Sequence, residues 1–427
     1  MRLTKILAVM SALWIGGAQI STLEFLRYIT SAYKDYNIEL KTITCESSKE
    51  VASKLSSMHI EYYEAPCYTV MGYPVLEVHK FQKLVEWADI VWITDVEYLV
   101  APWIKRIRSV PIVAHLHSYA LICPWWGALY RLNELCLKKC SAWRITRCKQ
   151  GINLELAKIS LLGGAKANLY WLLDFIKGPL DYYKWKKITM KIVDSIDYFI
   201  AVSNGLRNIV VSHLPELKSK IDVVYNPVAE GPWQYVLPTS SKKVPGDEEY
   251  ILYPGGSSIV KGPHIIINAF KQICLDYSMK LSLYITNALG TWIEEFTRKI
   301  SKDNRSCQIK LFSKLPDSDF FSIMSRAKAV ILPSIWPEPL PTVLIESLSL
   351  GVPAIGSNRG GIPEIIESEE YGIVVDPTID SVSKAIVKIL SRSYDKEKLF
   401  NYALTKFGKP NVKRLIKIFE KVVHKNT

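Results

Sequence analysis

Short apolar runs alternate with longer amphipathic segments along most of this chain. In the first half the runs are Lys5 to Met10, Ile38 to Ile43, Ile90 to Ile93, Ile112 to His117, Tyr198 to Val202 and Ile221 to Val224. Each has the length of a strand buried on both faces, and the segments between them are long enough for helices. The alternation predicts a parallel sheet with crossover helices. A second series follows: Tyr250 to Tyr253, Leu281 to Thr286, Ile309 to Phe312, Ala329 to Leu332, Val352 to Ile355 and Ile373 to Val375. Between the two series, residues 229–249 collect Gly, Pro, Ser, Lys and Asp without periodicity, the composition of a linker. The expected organisation is an N-terminal domain over 1–228, the linker, and a C-terminal domain over 250–427. The last segment, Tyr394 to Val423, has helical apolar spacing and could cross back to brace the first domain.

The β/α rhythm breaks over about 123–191. That stretch reads as a mainly helical insertion, rich in Trp, Tyr and basic residues, facing an acceptor. Within it Trp171, Tyr182, Tyr183, Lys184, Trp185, Lys186 and Lys187 form an aromatic and basic cluster suited to a lipid headgroup interface or to a packed helix with a solvated cationic face. No repeat of 20 to 50 residues is visible, so a solenoid is excluded. Two doubly wound α/β domains facing a cleft remain.

Composition agrees with this reading. The 427 residues exceed what one core usually organises, and 49% are apolar with 22% charged, which excludes a disordered chain. A formal charge of +13 favours polyanionic partners, and phosphorylated substrates, anionic lipid and nucleic acid all qualify. Met1 to Ala18 imitates a secretory signal, but Ile6 to Met10 followed by Gly16-Gly17 reads better as a strand, loop and helix opening. No segment is apolar enough to span a bilayer. The expected location is the cytoplasm, including peripheral contact with the cytoplasmic membrane face. Of eight cysteines, Cys45, Cys67, Cys274 and Cys307 are far apart in sequence and are expected to be free. Cys123, Cys136, Cys140 and Cys148 lie in the insertion, where zinc, disulfides and free thiols all stay open, and no metal site is assigned.

Candidate chemistry concentrates near the C-terminal end. Glu338 and Glu346 stand eight positions apart across a proline-rich turn between an apolar strand and a helix ending before Gly351. In a parallel sheet that loop opens at the carboxyl edge, where helix N-termini favour phosphate. Two carboxylates beside an anion site can accept hydrogen bonds from sugar and ribose hydroxyls, which suits a sugar nucleotide. Taken alone, both would read as solvated residues. Asp317 and Asp319 precede a helical run and read as caps rather than metal ligands. Strand alternation places Val113, His115 and His117 on one face, with His117 nearest the carboxyl end and His115 a satisfied core residue. Gly16 and Gly17 permit close backbone approach to a diphosphate, yet G-x-G-x-x-G is missing there, which counts against a nicotinamide oxidoreductase.

The segment PSIWPEPLPTVLIESLSLGVPAIGSNRGGIPEII, Pro333 to Ile366, resembles the signature of the retaining glycosyltransferases of family four. IGGAQ at Ile15 to Gln19, DYFIAVSNGLR at Asp197 to Arg207 and VVYNPV at Val223 to Val228 resemble the same family in the same order. The resemblance implies a GT-B fold of two Rossmann-like domains and transfer with retention of configuration, independent of a bound metal. It further implies that Glu338 contacts donor-sugar hydroxyls and Glu346 the ribose. Lys261, in YPGGSSIVKG, falls at the family's diphosphate-binding lysine, and His117 at its cleft histidine. Two departures stand out: Gly256 where the family has arginine, and Pro341 where it commonly has glycine. Proline donates no N–H but suits the first helical position, leaving Thr342 and Val343 as amide donors.

The function expected is therefore transfer of a hexose from a UDP- or GDP-sugar co-substrate to a glycan or lipid-linked saccharide acceptor. No cofactor and no nucleic acid are expected. His117, Glu338 and Lys261 are the expected catalytic groups, with Gly16, Gly17, Thr342, Val343 and Glu346 completing the donor site. Two other readings stay open. A nucleotide-sugar epimerase or hydrolase of the same fold would consume donor without acceptor, and a nucleic-acid-binding protein would release no nucleoside diphosphate.

Overall fold

The computed structural model describes residues 4–426, apart from 11–15, 32–35, 47–48, 71–72, 95–96, 125–127, 131–133, 161–163, 229–247, 277–279 and 301–306. Most of the expected linker therefore lies outside the described residues, as do Ile15 and the side chain of Trp171. The chain forms two compact units, Met1–Pro227 with Lys409–Thr427, and Val228–Gly408.

In the first unit the apolar runs become β1 (Thr4–Val9), β2 (Ile38–Cys45), β3 (Glu61–Ala65), then a hairpin of β4 (Cys67–Val70) and β5 (Tyr73–Leu76). There follow β6 (Ile90–Thr94), β7 (Ile112–Leu116), a second hairpin of β8 (Leu129–Tyr130) and β9 (Glu134–Leu135), β10 (Tyr198–Ala201) and β11 (Ile221–Val223). Seven of these make one parallel sheet in the order β11-β10-β7-β6-β1-β2-β3. The stretch that imitates a signal segment lies inside it: β1 pairs with both β2 and β6, and Ile6 to Met10 are fully buried. Burial on both faces explains why these strands read as unbroken apolar runs.

The second unit holds β12 (Tyr250–Tyr253), β13 (Leu281–Ile285), β14 (Cys307–Leu311), β15 (Val330–Leu332), β16 (Ala354–Ser357) and β17 (Gly372–Val375). Its parallel order is β14-β13-β12-β15-β16-β17. Strand order reverses between β1 and β6 in one sheet and between β12 and β15 in the other. Beyond the carboxyl ends of such strands the flanking crossovers diverge and leave a crevice, where open α/β sheets bind ligands.

The C-terminal periodicity resolves into two helices, Lys396–Phe407 and Lys409–Asn426, broken at Gly408. The second belongs to the first unit. It buries Leu415, Ile416 and Phe419, and the Phe419 ring lies 5.7 Å from that of Trp92. Lys421 Nζ donates to the Tyr198 hydroxyl at 3.1 Å. The insertion is mainly helical, with helices Ala142–Ser160 and Gly164–Ser195 packed on one another, but it also carries the β8–β9 hairpin.

Three expectations need correction. Cys45 and Cys67 form a disulfide, as do Cys274 and Cys307, with Cα separations of 5.6 and 6.1 Å. Sequence distance hid these pairs. Cys45 ends β2 and lies across from Ala65 of β3, two residues before Cys67, while Cys307 opens β14 beside the helix Pro263–Asp276. Asp317 and Asp319 are not at the N-cap position, which Pro316 holds; their carboxylates lie in the first turn, where they favour the helix dipole. Pro341 is likewise the N-cap of the helix Thr342–Ser349, one position ahead of the first helical residue.

Two disulfides leave four thiols, so a thiol reagent added to the denatured, unreduced and chelator-treated chain should titrate four groups, and eight after reduction. A count of eight before reduction would show both bridges absent.

Candidate active site

The reversal in the second sheet brings together the loop after β12 and the loop after β15. The first carries a short 3₁₀ turn, Ile259–Lys261. The carbonyl of Val260 accepts from the backbone amides of Ile335 at 2.9 Å and Trp336 at 3.1 Å, and from Ser334 Oγ at 3.0 Å. Three bonds to one carbonyl fix Lys261 relative to the Pro333–Glu338 loop. Gly256, where the resemblance calls for arginine, has φ +65°, a conformation that costs glycine least. The backbone of this loop thus accounts for the departure.

Glu338 is not the solvated loop residue that it would be in isolation; it is 4% exposed. Ser334 Oγ also lies 3.3 Å from its Oε1, sharing its one proton between this oxygen and the Val260 carbonyl. Burial pushes the Glu338 carboxyl above its ordinary range, with the nearby positive charge of Lys261 and the Ser334 bond opposing the shift. Its backbone is held as firmly: the Glu338 amide donates to Trp336 O at 2.8 Å, and Gly361 N donates to Glu338 O at 2.7 Å. Gly360 has φ +58°, and a Cβ there would stand 2.1 Å from Glu338 O. The Gly360-Gly361 pair therefore lets one loop lie against the carboxylate's own backbone.

Glu346 is also buried, on the helix Thr342–Ser349, whose carbonyl at that residue accepts from Ser349 Oγ at 2.8 Å. Thr342 and Val343 open the helix and are half-buried, and their amides are among the first-turn donors that no helical carbonyl can satisfy. Lys261, Glu338, Thr342, Val343 and Glu346 thus share one edge of one sheet.

Sequence reasoning missed Tyr253, the last residue of β12. Its hydroxyl is buried without a hydrogen-bond partner, and burial, with the charge of Glu338 added, raises its pKa. The signal available was a tyrosine at the carboxyl end of a fully buried strand, YILY.

In the first unit Gly16 and Gly17 stand at the carboxyl end of β1, where the helix Gly17–Ser31 begins. The Gly16 amide already donates to Gln19 Oε1 at 3.0 Å. His117 directly follows β7, at the same sheet edge, and its ring lies 4.7 Å from that of His115. Both rings are buried. His115 is core, 5.2 Å from the Phe25 ring, but contrary to expectation its nitrogens make no well-formed hydrogen bond, and only the Val224 backbone opposes the lowering of its pKa. Burial lowers the pKa of His117 to about 3, so the ring is neutral near pH 7, and its Nε2 has no partner. Such an imidazole can donate or accept one hydrogen bond without changing charge.

The aromatic and basic cluster divides by helical phase. Tyr182 and Trp185 pack inward, whereas Tyr183, Lys184, Lys186 and Lys187 are exposed. Trp103, Trp143, Leu180 and Met190 are further exposed apolar side chains of this unit. No helix of the described residues is long and apolar enough to cross a membrane.

Residues 239–406 match the family described as Glycosyl transferases group 1. The match covers most of the second unit and about two fifths of the chain. YtcC of Bacillus subtilis, named as a candidate glycosyltransferase, is 27% identical over 259 residues, which is 55% of this chain and 61% of the relative. The chain thus spans about three fifths of that relative's length. Among solved structures, a glycosyltransferase from Rickettsia africae ESF-5 superposes with a TM-score of 0.68 at 16% identity, covering 99% of each chain. Anabaena Alr3699/HepE, solved in complex with UDP-glucose, superposes with a TM-score of 0.64 at 15% identity, covering 98% of this chain and 99% of its own. These likenesses show the fold: two Rossmann-like domains of the GT-B type. The matched segment includes Lys261, Glu338 and Glu346.

Two outcomes follow from the geometry. Gly360→Ala should displace the Glu338 backbone and destabilise the second unit by about 1–3 kcal/mol, measurable by denaturant titration. Because the unfolded His117 ring takes up a proton near pH 6.5 and the folded ring only near 3, stability is complete above about pH 6.5 and falls as pH drops. Between about pH 7 and pH 5 the loss from His117 should be about 2 kcal/mol, and His117→Gln should remove that dependence.

Proposed function

We propose that this chain is a retaining glycosyltransferase that moves a hexose from a nucleoside-diphosphate sugar to a glycan or lipid-linked saccharide. The observation that carries the reading is the buried Glu338 carboxylate, held within reach of the Lys261 charge where strand order reverses. Burying a carboxylate is costly unless bound hydroxyls or a cation compensate it, so the site suits a polyhydroxylated, anionic ligand. Alr3699/HepE, of like fold, is solved with UDP-glucose, with UDP, and with UDP and glucose. UDP or GDP is the favoured carrier.

In this reading Glu338 accepts hydrogen bonds from the donor sugar and Glu346 from the ribose. Lys261 and the amides of Thr342 and Val343 receive the diphosphate, and Gly16 and Gly17 are the donor-binding residues assigned to the first unit. As the glycosidic bond breaks, negative charge collects on the departing diphosphate. A fixed cation and helix N-terminal amides are already oriented for that charge, which lowers the barrier without a bound metal. The acceptor attacks on the leaving-group face and passes its hydroxyl proton to the departing diphosphate oxygen, so that no protein nucleophile is required and configuration is retained. His117 donates from Nε2 to the transferring sugar. The exposed Trp103, Trp143 and Tyr183, with Lys184, Lys186 and Lys187 nearby in sequence, support contact between the first unit and a membrane surface that carries the acceptor.

The test is a panel of UDP-, GDP- and ADP-sugars, with nucleoside diphosphate release measured in the presence and absence of membrane lipid extract. One donor should support acceptor-dependent release. Glu338→Ala, Lys261→Ala and His117→Ala should each lower kcat by about 10²-fold or more while keeping the fold by circular dichroism. Undiminished turnover in Glu338→Ala and Lys261→Ala would refute the site. Donor consumption with no transfer product would favour an epimerase or hydrolase instead.

A further inference from the structure

Four cysteines in the insertion belong to no disulfide, and the fold gathers them around one small pocket. They come from separate pieces of chain. Cys123 follows β7 and its amide donates to Tyr119 O at 2.9 Å. Cys136 follows β9, with its amide bonded to Ala128 O at 2.8 Å across the hairpin. Cys140 precedes the helix Ala142–Ser160, and its carbonyl accepts from the buried Tyr182 hydroxyl at 2.9 Å. Cys148 lies one and a half turns into that helix and is buried, its Sγ 3.4 Å from Leu129 O. Arg144 and His213 line the same pocket.

We propose that Cys123, Cys136, Cys140 and Cys148 bind a single zinc ion as a tetrathiolate site that holds the β8–β9 hairpin to the helix Ala142–Ser160. Four soft sulfur ligands from a short stretch of chain are the donor set that tetrahedral zinc prefers. The pocket has a volume of about 20 Å³, room for one water-sized occupant rather than for a multi-iron cluster. Among the described residues no group of three or more ligands is already arranged to hold a metal ion, so binding requires the sulfurs to move closer together.

The local energetics favour such a clasp. A hairpin with two residues per strand cannot stabilise itself, and neither can the turns around it. Four thiolates crowded around one pocket would repel one another, and a bound divalent ion both deprotonates its thiols and offsets their charge. The net negative charge that four thiolates leave on the centre is offset by the Arg144 guanidinium at the pocket wall and by the N-terminus of the helix Ala142–Ser160. His213 is not counted as a ligand: its ring engages the backbone of Ile209 and Lys138. The metal is structural and separate from the transfer reaction, so this inference does not rest on the proposed activity.

The test uses the full chain purified without added chelator. Elemental analysis should find about one zinc ion per chain, released when a mercurial reagent titrates the thiols. Replacement by Co²⁺ should give thiolate-to-metal charge-transfer absorption and the intense visible bands of a tetrahedral tetrathiolate. That signature is read on the unaltered chain, so the outcome stands even where Cys136→Ser or Cys140→Ser fails to fold. A strong chelator should lower the melting temperature of the first unit by several degrees. Three results would each overturn the proposal: negligible zinc with no cobalt spectrum, an iron–sulfur chromophore, or disulfides mapped among these four cysteines by mass spectrometry.

Discussion

A carboxylate taken out of water needs something to answer its charge, and in the second unit Glu338 is answered by Lys261, Ser334 and the loops that fix them. The Val260 carbonyl binds the loop after β15 to the loop after β12, and the glycine pair at 360–361 closes over the backbone of Glu338. These contacts cost conformational freedom and provide little apolar burial. Their effect is to hold a carboxylate and a cation in register, the arrangement that electrostatic preorganisation would use in the proposed transfer.

That arrangement depends on topology. Because β12 and β15 are neighbours although two strands intervene in sequence, the loops that follow them, carrying Lys261 and Glu338, meet at the carboxyl edge where strand order reverses. The first unit repeats the plan. Its reversal lies between β1 and β6, with Gly16 and Gly17 after one of those strands and His117 one strand further along. The His117 ring is neutral because it is buried, so it serves as a fixed dipole rather than as a charge.

Much of this was legible in the sequence because burial on both faces leaves a plain trace. A strand inside a parallel sheet cannot place a polar side chain on either side without a partner, so β1, β6, β7 and β12 read as unbroken apolar runs. β3, with exposed Glu61 and Glu64 on the sheet edge, and the short hairpins left no such trace. The glutamate pair was legible as chemistry, since its spacing spans a loop and a helix start. Its burial was not, because exposure depends on which distant loops cover it.

The sequence by itself determined the alternation of strand and helix, the two series, the position of the helical insertion and the motif that marks the second unit, since each follows from local periodicity or from residues close together in the chain. Only the tertiary structure decided that Cys45 meets Cys67 and Cys274 meets Cys307, that Tyr253 lies near Glu338, that four cysteines of the insertion line one pocket, and that the helix after Gly408 joins the first unit. The physical reason is common to all of them. Contacts between residues far apart in the chain are selected by the packing of whole elements, and no local pattern of polarity records which surfaces will meet.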